Sequence, residues 1–137
     1  MTTNGTELED RTRRLVGIGV GILTAATFAV LGVVVLESIF YGVLMASFSG
    51  GGSVLAVPWR LRLSAAQASA DERVSFSETV ARAGGNAQQG LFGVGLVLGA
   101  AAMFTLALGG TNPSPTLGIT VGISSAVLVA YIGAVIL

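Results

Sequence analysis

Glu37 is the only charged side chain between Leu15 and Val57. A carboxylate inside a hydrocarbon layer is costly to keep, and intramembrane acids mark proton or cation paths. The second stretch that could do chemistry is Ser47-Phe48-Ser49-Gly50-Gly51-Gly52-Ser53. Three consecutive glycines weaken a helix by about 1 kcal/mol each relative to Ala. If the chain unwinds there, Ser49, Gly50, Gly51 and Gly52 would present carbonyls and hydroxyls to a permeation path, as in discontinuous transporter helices. If it stays helical, the glycines allow close packing and the serine hydroxyls bond to carbonyls one turn back. Packing is the simpler role, because no charged partner lies at the same depth. Asp71, Glu72 and Glu78 form a third cluster, but their spacing matches no calcium loop and Arg73 lies among them. They read as a solvated helix face.

Much chemistry is excluded by composition. The chain has no Cys and no His, and its seven basic residues are all Arg. Disulfides, thiolate and imidazole ligation, and the commonest general base are therefore absent. So are Schiff-base chemistry and the lysine of a phosphate-binding loop. A serine nucleophile would lack its base, and a paired-aspartate protease would need acids in spans that have none. The expectation is a protein that is not an enzyme and carries no cofactor and no metal. Small multidrug exporters and rotary-ATPase ring subunits do place a Glu within a span. The stretch Gly17-Ile18-Gly19-Val20-Gly21 is similar to the glycine-rich helix of the ring subunits. Glu37, however, falls at a predicted helix end, and neither family is assigned.

The elements that must position these residues follow from length and hydropathy. Mean hydropathy is +0.84, with 53% hydrophobic and only 10% charged residues, against about 25% charged in a soluble domain. As one helix, Leu15 to Val57 would be roughly 65 Å long, twice a hydrocarbon core of about 30 Å. It should fold back as two spans, about 15–36 and 39–57, with Glu37 and Ser38 at the turn. The second span is expected to stop at Pro58-Trp59-Arg60, where Trp sits at headgroup depth and Arg reaches lipid phosphate. A second apolar run is cut at Gly109 to Pro115 and reads as spans 90–108 and 116–137. The fold class is all-α, an integral membrane protein with four transmembrane helices in two hairpins. Its divisions are a polar arm at 1–14, a hairpin at 15–57, an Arg-bearing loop at 58–89 and a hairpin at 90–137. Ser69 with Glu72 and Ser75 with Glu78 have capping-box spacing, predicting a short amphipathic helix over 70–83 that ends at Gly84-Gly85. A signal peptide is disfavoured by the acids Glu7, Glu9 and Asp10 ahead of the first apolar stretch, so that span is read as retained.

Four spans place Arg11, Arg13, Arg14, Arg60, Arg62, Arg73 and Arg82 on one side of the membrane. Basic residues near span ends mark the cytoplasmic face, so both termini and the long loop are expected inside. A three-span arrangement, with Ser49–Ser53 as a loop, would divide the arginines between both sides and sink Glu37 into lipid. Small residues recur every four positions: Gly17, Gly21, Ala25 and Ala29; Gly42, Ala46 and Gly50; Gly95 and Gly99; Gly118, Gly122, Ala126, Ala130 and Ala134. Such stripes let helix backbones approach closely in lipid. The expected function is a non-catalytic structural or accessory protein. It would pack through these faces into an oligomer, a larger membrane complex, or a viral or cellular envelope. Trp59, Arg60, Arg62, Arg73 and Arg82 are the expected contacts to anionic headgroups or to an internal partner; no nucleic-acid motif is present. The alternative is a small oligomeric channel or transporter with a glycine-broken second span.

Overall fold

The computed structural model describes residues 2–70, 74–84, 86–110 and 114–136. They form five α-helices: α1 (Thr2–Val30), α2 (Ile39–Ala68), α3 (Phe76–Ala83), α4 (Ala87–Leu108) and α5 (Pro115–Ile136). A π-helical turn at Leu31–Val35 continues α1, and no strand occurs among the described residues. Four helices, Asn4–Val35, Ile39–Ala68, Ala87–Leu108 and Pro115–Ile136, are long and apolar enough to cross a membrane. The 22 residues of α4 reach about 33 Å and the 30 of α2 about 45 Å, so α2 is longer than a hydrocarbon core.

Three boundaries differ from those expected. First, α1 starts at Thr2, well before Leu15; Arg13 pairs with Glu9 one turn back and with Asp10 at 3.6 Å, which supports a helix in this polar stretch. Second, α2 does not stop at Pro58 but runs through it to Ala68. An interior proline removes one backbone hydrogen bond and crowds the carbonyl four residues back. Here the ring faces Gly17 of α1: a Cβ placed on Gly17 would lie 2.8 Å from Pro58 Cγ and 3.4 Å from the Val54 carbonyl oxygen. The missing side chain on α1 leaves room for the ring. Third, the short helix covers 76–83 and not 70–83. Ser69 caps the end of α2 instead of starting a helix, and its backbone N–H donates to Ala65 O. Residues 71–73 lie outside the described residues. Ser75 does cap α3, accepting from Glu78 N at 3.3 Å, and Gly84, at φ 64°, ends it. α3 leans on the extension of α2, where the Thr79 hydroxyl donates to Gln67 Oε1 at 2.7 Å.

The helices form a row. α2 packs on α1 along one side and on α4 along another, and α4 carries α5. The main apolar cluster joins Tyr41 and Met45 of α2 to Ala100 and Met103 of α4, with Phe28 of α1 and Val121 of α5 against it. This cluster lies towards the Glu37 turn, where the Tyr41 hydroxyl also donates to Ser114 O at 3.1 Å.

Candidate functional site

The polar stretch of α2 is fully helical from Ser47 to Ser53, so the glycine break on which the alternative channel reading rests is absent. The three glycines face different ways because successive helical positions turn by about 100°. A Cβ on Gly50 would lie 2.8 Å from Ala25 Cβ of α1, and one on Gly52 would lie 2.5 Å from the Gly93 carbonyl of α4. A Cβ on Gly51 would meet nothing. The glycines thus let α2 approach helices on two sides at the same level.

Beside them a hydroxyl cluster crosses the α1–α2 interface. The Thr24 hydroxyl reaches Ser53 Oγ at 3.0 Å, Val20 O at 3.0 Å, Gly21 O at 3.1 Å and Ser49 O at 3.4 Å. Its single proton serves one of these acceptors at a time. Ser49 in turn reaches Thr24 O at 3.4 Å and Ala46 O at 3.3 Å, and both Ser49 and Ser53 are buried. Ser47 faces outward and bonds to Val43 O at 2.8 Å, one turn back. Every hydroxyl of this stretch therefore has a neighbour within the helices. Thr24 was not among the candidates from sequence, since its partners lie on another span.

Glu37 sits apart, in the turn between the π-helical segment and α2, exposed and at φ 52°. The adjacent Ser38 caps α2 by accepting from Tyr41 N at 3.3 Å. A left-handed conformation is unusual for a residue with a side chain. Here it accompanies a turn of only three residues.

The small-residue faces meet neighbours within the chain. Gly17, Gly21 and Ala25 line the side of α1 against Pro58, Val54 and Gly50 of α2. Gly118 of α5 lies under Tyr41 and Leu44, and Gly122 lies under Phe48 and Met103. A Cβ on Gly95 would lie 2.5 Å from Ala126 Cα, and one on Gly99 2.8 Å from Gly122 Cα; Ala130 is buried as well. Further close approaches involve glycines outside the four-residue stripes. Gly32 meets Gly42 backbone to backbone, Gly93 meets Gly52, and Gly90 lies against the ring of Trp59.

That last contact places Trp59. The ring is 8% exposed, set into the socket that Gly90 leaves on α4, and its Nε1–H has no acceptor among the described residues. Arg60 is exposed, Arg62 pairs with Asp10 at 3.2 Å, and Arg82 pairs with Glu78 at 2.7 Å on α3. Arg73 lies outside the described residues. The structure does not gather these arginines into one patch. It brings Arg62 together with Arg14 of α1 and with Asn86 and Gln89 at the start of α4. These four and Trp59 line a cleft of about 370 Å³ whose apolar walls are Ile18, Val54, Leu55 and Pro58. Arg14, Asn86 and Gln89 could not be picked from sequence, because only the α1–α2–α4 arrangement makes them neighbours. No group of three or more acidic residues suited to holding a metal ion occurs among the described residues. Compared with known proteins, the chain matches no family model, no curated protein and no solved structure.

Proposed function

We propose that the chain is a non-catalytic structural or accessory protein, embedded in a membrane by four spans, that joins a larger membrane assembly or an envelope. Both termini and the connector between α2 and α4 face the inside. The observation that carries this is the uneven use of the four candidate spans. In the most apolar stretch of α2, 44% of residues are buried within the chain, whereas in α1 only 11% are. The glycine and alanine faces are occupied by helices of the same chain, so they build the module itself. The least covered of the four spans is α1, whose outer side, with Gly19, Ile22, Leu23, Ala26 and Val30 exposed, is offered to a second copy or a different membrane protein. A small residue set among branched ones suits helix docking in lipid, where close backbone approach drives association.

A photo-crosslinking side chain at Leu23, activated in native membranes, tests the proposal. Capture of a second protein chain supports it. Failure of Leu23 and of Ile22 to capture protein, together with solute flux through proteoliposomes of the purified chain, would favour a channel. With α2 continuous, such a channel would need a path other than a glycine break.

A further inference from the structure

The cleft at the arginine-bearing end combines features that belong to one kind of ligand. It is lined by Arg14, Arg62, Asn86 and Gln89 together with the apolar Ile18, Val54, Leu55 and Pro58. Arg14 makes no ion pair among the described residues, while Arg62 shares Asp10 with Arg13. Two carboxylates, Asp10 and the Glu9 that pairs with Arg13, among the three guanidinium groups of Arg13, Arg14 and Arg62 still leave the neighbourhood positive. Asn86 Oδ1 accepts from Gln89 N at 3.2 Å as the cap of α4, which leaves the Asn86 amide N–H groups as donors. The positive end of the α4 dipole opens at the same cleft. Independently of that helix end, Trp59 lines the cleft with a buried indole N–H that has no acceptor. Buried donors are nearly always satisfied, and the exceptions call for a partner. A lining that joins charged and donor side chains to apolar ones fits an amphiphile with an anionic oxygen headgroup, not a soluble ion.

We propose that this cleft binds one anionic glycerophospholipid. Its phosphate lies between Arg14, Arg62 and the start of α4, and the upper part of its acyl chain lies against Ile18, Val54 and Leu55. The site deepens the membrane proposal above and rests on it, since this end must lie at headgroup depth.

Trp59 is the only tryptophan, so its fluorescence reports on this place alone. The purified chain is reconstituted into phosphatidylcholine bilayers containing increasing phosphatidylglycerol, with bromine on the acyl chains of one lipid or the other. Brominated phosphatidylglycerol is expected to quench Trp59 at lower mole fraction than brominated phosphatidylcholine. Arg14→Gln and Arg62→Gln should each reduce that preference about fivefold, the amount expected for one arginine at an anionic surface. Arg11→Gln and Arg60→Gln remove the same charge from positions that do not line the cleft and should leave the preference within about twofold. Arg14→Gln breaks no ion pair among the described residues, so it carries the test if Arg62→Gln folds poorly. Equal quenching by both lipids overturns the site while leaving the four-span reading in place; no quenching by either overturns both. An equal loss in Arg11→Gln and Arg60→Gln would indicate general surface charge and overturn the site. So would displacement of the brominated phosphatidylglycerol by inorganic phosphate.

Discussion

Gly50, Gly51 and Gly52 are identical in type, yet the first faces α1, the third faces α4 and the middle one faces neither. Substituting them separates packing from flexibility. Gly51→Ala should leave the fold intact and raise stability by up to about 1 kcal/mol, the usual gain of Ala over Gly in a helix. Gly52→Ala forces a methyl against the Gly93 carbonyl and should cost about 1–3 kcal/mol through overpacking. Reversible unfolding in mild detergent, followed by far-ultraviolet circular dichroism, measures both, and equal effects would contradict the assigned faces. The hydroxyl cluster permits a second test at this scale. A double-mutant cycle of Thr24→Val and Ser53→Ala should give a coupling of about 0.6 kcal/mol, and not above about 1.7, the range of interhelical hydrogen bonds in a membrane protein.

The helices repeat this lesson over longer distances. Proline within a helix ordinarily costs about 3 kcal/mol or more, which is why Pro58 reads as a stop. The helix nevertheless continues, and Gly17, forty-one positions away in sequence, leaves space for the ring between α1 and α2. Amide hydrogen exchange should therefore find residues 60–68 protected as in a helix; rapid exchange beginning at Trp59 would restore the break at proline. At the other end, Gly32→Ala should destabilise the α1–α2 hairpin more than Gly19→Ala, because Gly32 touches the backbone of Gly42 and Gly19 touches nothing. The same unfolding experiment compares them. The existence of the four apolar helices, the turn at Glu37 and the Ser75 cap were legible in the sequence, because length, hydropathy and capping are local properties. Thr24 with Ser53, Trp59 with Gly90 and the cleft around Arg14 were not. Each depends on which faces of separate helices meet, and four-residue spacing alone does not pair one stripe with another.

At the scale of the whole molecule, the chain is a row of helices joined by glycine-lined contacts, with its apolar cluster towards the Glu37 turn and a basic cleft towards the other end. That polarity matches the arginine asymmetry, and together they support a protein whose two ends meet chemically different surroundings. The arrangement requires that Glu37 and Asn86 emerge on opposite faces of one bilayer. Single-cysteine labelling with a membrane-impermeant maleimide tests this without background, since the chain has no native Cys. In sealed, right-side-out vesicles, Glu37→Cys should label directly, and Asn86→Cys should label only after the membrane is opened. If both cysteines label from the same side, the four-span arrangement is wrong, and the membrane role and the lipid cleft fall with it.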